Sequence, residues 1–164
     1  MQEKYIALQK RIEEWITEHK DEFISELQGF ARIPSVSRAV LAQEGAPCGP
    51  DCRKVLDYAL TRAAHYGFKG QDLHNGCAAE ITYGDHEQAL GIVAHLDVVP
   101  EGEGWSVPPY EALIKDGRIY GRGSADDKGP AVVALWAAKA AREIEPNLSK
   151  GCRIILGSDE ETGS

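Results

Sequence analysis

The sequence is poor in cysteine, in basic residues and in long apolar runs. Its 164 residues include 4 cysteines, and 18 basic residues stand against 26 acidic ones, which gives a formal charge of −8. Phosphate binding needs a concentrated basic face, so this balance argues against a nucleic-acid partner. Residues 1–23 mix charge into every helical turn and contain neither the apolar centre of a signal peptide nor a membrane span. We expect a cytoplasmic protein with no nucleic-acid or membrane partner.

The cysteines are Cys48, Cys52, Cys77 and Cys152, too few and too scattered for a disulfide scaffold in a chain of this length. We interpret them as reduced thiols. Cys48 and Cys52 are four residues apart and could share a metal, but no second ligand pair follows at the spacing of a zinc finger. Two ordinary thiols at the start of a helix are the interpretation that we favour.

Apolar spacing predicts the helices. The 43% hydrophobic composition is enough to bury the core of one domain. One or two amphipathic helices are predicted before Ile33-Pro34, another from about Pro50 to Tyr66, and a well-buried one from Pro130 to about Glu143.

Short β-like runs predict the strands. They lie at residues 79–83, 90–95 and 153–157, the first two as neighbours joined by a polar turn at residues 84–87. Asp116-Gly117 predicts a tight hairpin between residues 112–115 and 118–120. Because a strand, a crossover helix and a second strand follow one another, we expect an α/β fold with part of a mostly parallel sheet flanked by helices.

Three polar clusters occur where a predicted strand or hairpin ends, which is the usual place for a site in an open α/β sheet. They are residues 94–97 (Ala-His-Leu-Asp), 121–129 (Gly-Arg-Gly-Ser-Ala-Asp-Asp-Lys-Gly) and 158–163 (Ser-Asp-Glu-Glu-Thr-Gly). Together they contain one imidazole and six carboxylates.

Each cluster also has a structural interpretation. His95 and Asp97 project to the same side of an extended segment, so the carboxylate can hold one ring nitrogen and leave the other for a metal, although histidines at strand ends are also commonly structural. The Asp126-Asp127 pair suits a helix N-terminus or a surface turn. Residues 159–161 would form a solvated acidic loop unless a cation relieves their repulsion. If the clusters converge, their ligand types suit zinc or a zinc pair better than calcium.

At these clusters the sequence resembles the aminoacylase/carboxypeptidase family of co-catalytic zinc metallopeptidases, and within it the PepV-type dipeptidase branch, which includes carnosinase-like enzymes. The matching motifs extend over most of the chain after the first helix. In order, they are residues 33–36, 44–47, 95–100, 104–105, 109–111, 115–117, 121–130 and 159–163. The resemblance implies a zinc-peptidase catalytic domain that acts on small peptides.

Carried over residue by residue, the resemblance implies that His95 is a ligand of one zinc ion, Glu161 a ligand of the other, and Asp126 the carboxylate that bridges them. Asp97 would orient His95. Glu160 would be the general base that takes a proton from the attacking water and passes it to the leaving amine.

The resemblance further implies a cis peptide bond between Asp126 and Asp127, with Asp127 a neighbour of the metals and not a ligand. In the family, a later carboxylate and a distant histidine complete the zinc shells, and a separate lid domain helps to hold the substrate. Two protein ligands per zinc are fewer than zinc sites use. We therefore expect residues 1–164 to be the N-terminal part of a catalytic domain, without the lid, and inactive alone.

Alternative functions use the same residues. An N-acyl amino acid deacylase or a carboxypeptidase of the family would share the metal core, but the details at Gly104-Trp105, residues 109–111 and residues 126–130 favour a dipeptidase. A non-catalytic binding module on the same scaffold would be expected to lose metal residues, and this chain retains them. A homo-oligomer stays open as a further alternative.

Overall fold

A computed structural model describes residues 2–85 and 88–163, so the predicted polar turn at residues 84–87 lies partly outside the described residues. The described chain contains three α-helices and six strands. In chain order these are α1 (Gln2–Ala31), α2 (Pro50–His65), β1 (Lys69–Leu73), β2 (Ala78–Tyr83), β3 (Leu90–His95), β4 (Leu113–Lys115), β5 (Arg118–Tyr120), α3 (Lys128–Ile144) and β6 (Cys152–Gly157). Short 3-10 helices lie at Ala39–Leu41 and Glu160–Thr162.

The main sheet has the strand order β1-β2-β6-β3. β1 pairs with β2 and β2 with β6 in antiparallel fashion, whereas β3 and β6 are parallel. The α/β class is confirmed, and the described sheet is mixed, with one parallel pairing. A parallel pairing requires a crossover connection, and within the described residues α3 supplies one between β3 and β6.

The prediction that β2 and β3 are neighbours is wrong, because β6 lies between them. The two strands are close in the chain, but β6 arrives after the α3 crossover and pairs with both. Strand β1 was not predicted, since its sequence Lys-Gly-Gln-Asp-Leu is polar and four of its five residues are exposed, as suits an edge strand. At the opposite edge, β3 exposes the side chain of Val93 to 81%.

The helices are close to the predicted ranges. Pro50 stands at the start of α2, where its missing N–H costs no hydrogen bond, and Gly67 follows the helix with φ +72°. The helix α2 packs against β1 and β2, α3 packs against β3 and β6, and α1 packs on α3. None of the helices in the described ranges combines the length and the apolarity of a membrane span.

The core lies between the sheet and the helices α2 and α3. Both layers contribute fully buried side chains, among them Leu56, Ile81, Leu135, Ile154 and Leu156, and α1 adds Phe30. The predicted hairpin is confirmed as β4 and β5 joined by Asp116-Gly117, and both turn residues have positive φ, 51° and 71°, as a primed turn requires.

Two adjacent valines of α3 provide a matched test of this packing. Val132 is 0% exposed in the core, whereas Val133 is 54% exposed. We expect Val132→Ala to lower the free energy of unfolding by about 1–3 kcal/mol, because it leaves a cavity, and Val133→Ala to change it by less than about 0.5 kcal/mol. Urea denaturation followed by circular dichroism measures both. Equal losses in the two variants would contradict the assignment of the buried face.

Candidate metal centre

The three polar clusters converge at the carboxyl ends of the parallel strands. His95 is the last residue of β3, and it pairs in register with Gly157, the last residue of β6. The 3-10 helix Glu160–Thr162 begins shortly after β6, and Asp126 lies just before the start of α3. Because parallel strands present their carboxyl ends at one edge, residues more than sixty positions apart in the chain become neighbours there.

Ligand-type atoms of His95, Asp126 and Glu161 all lie within 4.8 Å of one another. His95 Nε2 is 3.3 Å from Asp126 Oδ1 and 3.7 Å from Glu160 Oε2. The imidazole is largely buried, with 12% of the side chain exposed, whereas the Asp126 carboxylate is 78% exposed. The site therefore has a buried nitrogen at its base and open carboxylates at its rim.

Asp97 lies beneath this group with no solvent exposure. Its Oδ2 accepts a hydrogen bond from the backbone N–H of Glu161 at 2.9 Å. Its Oδ1 is 3.4 Å from His95 Nδ1 and accepts no hydrogen bond from any residue that the structure describes. The Nδ1 atom makes its hydrogen-bonding contact with the Asp97 carbonyl oxygen instead, at 3.1 Å. Both contacts hold Nδ1 and leave Nε2 facing Asp126.

Asp127 fixes the backbone of the site. Its Oδ2 accepts a hydrogen bond from the backbone N–H of His95 at 3.1 Å, which ties the end of β3 to the start of α3. The expected cis peptide bond between Asp126 and Asp127 is present. The two neighbouring carboxylates thus face different partners: Asp127 faces the backbone, and Asp126 faces the imidazole.

The local charge is strongly negative. Desolvation alone would lower the pKa of His95. The Asp97 carboxylate, the hydrogen bond to the Asp97 carbonyl oxygen and the carboxylates of Asp127 and Glu160 together outweigh it and raise that pKa. Carboxylates held this close repel one another, and a cation relieves the repulsion. A donor set of one imidazole and several carboxylate oxygens fits zinc or another transition metal ion.

Lys128 is the main feature that the sequence analysis missed. The side chain is fully buried, its ammonium donates a hydrogen bond to the carbonyl oxygen of Ile33, and burial lowers its pKa to about 8. The charge of Asp97 acts in the opposite direction and raises it. A lysine next to glycine and proline in a turn-like motif gives no sequence signal that it is buried.

The segment at residues 33–37 also contacts the site, although no function was predicted for it from the sequence. Ser35 Oγ donates to the carbonyl oxygen of Leu96 at 2.6 Å, and Ser37 Oγ donates to Asp159 Oδ1 at 2.6 Å. These bonds hold the loops that carry Asp97 and Glu160.

The cysteines do not contribute to this centre. All four are free thiols. Among the residues that the structure describes, neither Cys48 nor Cys52 belongs to a group of three or more metal-binding side chains. A metal ion shared by these two cysteines would therefore have no further protein ligand of this kind.

Comparisons with known proteins identify the family to which this site is related. Residues 91–164, which contain every residue of the proposed site, match the model of peptidase family M20/M25/M40. The chain is 39% identical over 143 residues to the Bacillus subtilis (strain 168) protein named "Putative dipeptidase YtjP", covering 87% of this chain and 31% of that protein. A Staphylococcus aureus (strain USA300) protein, also named as a putative dipeptidase, is 38% identical over 149 residues, covering 91% of this chain and 32% of the relative.

Among solved structures, human carnosine dipeptidase 1 superimposes with a TM-score of 0.79 and 26% sequence identity, covering 94% of this chain and 35% of that one. The chain thus spans about a third of the length of the relatives it matches. Residues 91–164 thus form part of a domain of the peptidase family M20/M25/M40, and the chain fits the dipeptidase branch of that family.

Proposed function

We propose that the intact protein is a zinc dipeptidase of the cytoplasm and that this chain is the N-terminal part of its catalytic domain. The observation that carries the proposal is the convergence of His95, Asp126 and Glu161 within 4.8 Å at the carboxyl ends of β3 and β6. The relatives' names give the substrate class, small peptides.

In this proposal His95, Asp126 and Glu161 would hold two zinc ions, with His95 and Glu161 as end ligands and Asp126 as the shared carboxylate. When bound, a zinc pair would lower the pKa of a bound water molecule to near neutrality and would polarise the scissile carbonyl group. The support for the assignment is the donor set itself: His95 Nε2 faces Asp126 Oδ1, while the other ring nitrogen is held by Asp97. A metal-binding histidine needs this arrangement, because the second nitrogen fixes the orientation of the ring.

Glu160 is the proposed general base. Its carboxylate is 61% exposed and 3.7 Å from His95 Nε2, so it lies beside the ligands and can reach the solvent side where a substrate would enter. It accepts the proton of the attacking water and returns it to the leaving amine nitrogen. Asp97 acts through His95 and through the backbone N–H of Glu161, so we propose it as a positioning residue.

Residues 1–164 alone are proposed to be inactive. The three converging groups would give each zinc ion two protein ligands, one of them shared, and this is fewer than zinc sites use. The relatives with dipeptidase names are about three times as long as the segment that they share with this chain.

The two adjacent glutamates make the first test. In the intact protein, Glu160→Gln should lower dipeptide turnover by at least about 100-fold and leave zinc content nearly unchanged, because the base contacts water and not metal. Glu161→Gln should lower zinc content, because an amide is a poorer ligand than a carboxylate. Turnover is measured by the release of free amine, and the zinc content of the dialysed protein is measured by inductively coupled plasma mass spectrometry.

Glu18→Gln is the control, since Glu18 is exposed on α1, far along the chain from the site. Equal zinc loss in Glu160→Gln and Glu161→Gln would overturn the division of functions between them. A panel of N-acyl amino acids assayed beside the dipeptides separates a deacylase from a dipeptidase, and faster turnover of the acyl compounds would replace the proposed substrate class.

The second test uses residues 1–164 alone. Calorimetric titration should give zinc binding weaker than about 1 μM, and dipeptide hydrolysis should be absent, because two protein ligands leave most of each zinc shell to water. The Asp126→Asn variant should weaken the residual binding further. Tight binding of two zinc ions with turnover near that of the intact protein would refute the proposal that further ligands are needed.

A further inference from the structure

Two cysteines that the metal centre does not use lie side by side next to the catalytic loop. Cys48 immediately precedes Gly49, the N-cap residue of α2, and Cys77 immediately precedes β2. The Cys48 thiol is close enough to the side chains of Cys77 and Ser158 for both to influence its pKa. The fold therefore brings together two thiols from separate segments of the chain.

The backbone holds these two segments against each other. A Cβ atom placed on Gly76 would be 2.3 Å from the carbonyl oxygen of Gly45, so the loop before Cys48 and the turn before Cys77 touch at a point where only glycine fits. Gly76 also has φ +94°, which favours glycine. Close backbones are what a disulfide needs, because its geometry requires Cβ atoms about 4 Å apart.

Ser158 connects the pair to the proposed active site. It is fully buried, its backbone N–H donates to the Cys77 carbonyl oxygen at 3.0 Å, and its hydroxyl donates to the same oxygen at 2.8 Å. Ser158 is followed directly by Asp159 and Glu160. The thiol pair thus lies against the first residue of the loop that carries the proposed base.

The two thiols differ in access to solvent. Cys48 is buried, whereas Cys77 is partly exposed. Burial raises the pKa of the Cys48 thiol, which lowers its thiolate fraction. Cys77 is therefore the thiol that an external reagent reaches first, with Cys48 behind it.

We propose that Cys48 and Cys77 form a reversible redox pair, oxidised to a disulfide by exchange with a small-molecule disulfide. The Cys77 thiolate attacks the small disulfide, forms a mixed disulfide and releases one thiolate. The Cys48 thiolate then attacks the Cys77 sulfur, forms the Cys48–Cys77 bond and releases the second thiolate. Two protein thiols lose two protons and two electrons, and the small disulfide gains them as two thiols.

The test uses glutathione disulfide as the probe on the reduced, folded protein. The expected product is a monomer that has lost two hydrogens and two titratable thiols, with Cys48 joined to Cys77 in non-reducing peptide maps. Dithiothreitol should restore both thiols. Fragmentation of the cross-linked peptide distinguishes Cys48 from the nearby Cys52.

Three single variants make the result specific. In Cys48→Ser the reaction should stop at one glutathione on Cys77, and in Cys77→Ser the disulfide should be absent. Cys152→Ser is the matched control and should behave like the wild type, because Cys152 is at the far end of β6 from Ser158. Circular dichroism checks that each variant is folded.

The non-reducing peptide map of the wild-type protein tests the proposal even if a variant does not fold. A mixed disulfide on Cys77 that persists in the wild type would overturn it, as would a bond that involves Cys52 or joins two molecules. Absence of reaction in the folded protein, under conditions where the unfolded protein is oxidised, would overturn it as well.

Discussion

The structure depends on the burial of one negative charge, the carboxylate of Asp97. A buried carboxylate is costly unless hydrogen bonds and opposite charges compensate it. The backbone N–H of Glu161 donates a hydrogen bond to it, the imidazole of His95 lies 3.4 Å away, and the buried Lys128 ammonium interacts with it electrostatically. The three come from different polar clusters of the sequence: the end of β3, the start of α3 and the loop after β6. Compensating this one charge therefore brings the clusters together, and the candidate ligands follow from it.

The parallel pairing of β3 with β6 sets the geometry around that charge. Their register puts His95 opposite Gly157, so the residues after both strands emerge at one edge of the sheet. Helix α3 forms the crossover between the two strands and begins directly after Asp126-Asp127. Since Asp127 binds the backbone of His95, the start of the crossover is attached to the end of the strand that precedes it. The edge that carries the candidate site is thus a property of one β-α-β unit, and the antiparallel strands extend the sheet away from it.

The features that could be predicted from the sequence are those that depend on local patterns or on motifs. Apolar spacing and run length predicted the regions of the three helices, and Asp116-Gly117 predicted the β4–β5 turn, because each signal is local in the sequence. The motifs predicted which side chains converge. Strand order was not predictable in this way: β2 and β3 are close in the chain, yet β6 separates them, since pairing is decided by tertiary packing. The polar edge strand β1 and the buried Lys128 were missed for a related reason, because burial of a polar residue depends on partners that are distant in sequence.

The outer edge of β3 has consequences for handling the protein. Within the described residues β3 is paired only with β6, so its other side presents backbone N–H and C=O groups without a strand partner. The side chains of Leu90 and Val93 are exposed on the same strand. An unpaired apolar edge is a template for adding strands from other chains, and it promotes aggregation at high concentration. Replacing Val93 with a charged residue should therefore allow solutions of this polypeptide to be concentrated further. A loss of light scattering in that variant would show that the chains associate through the outer edge of β3.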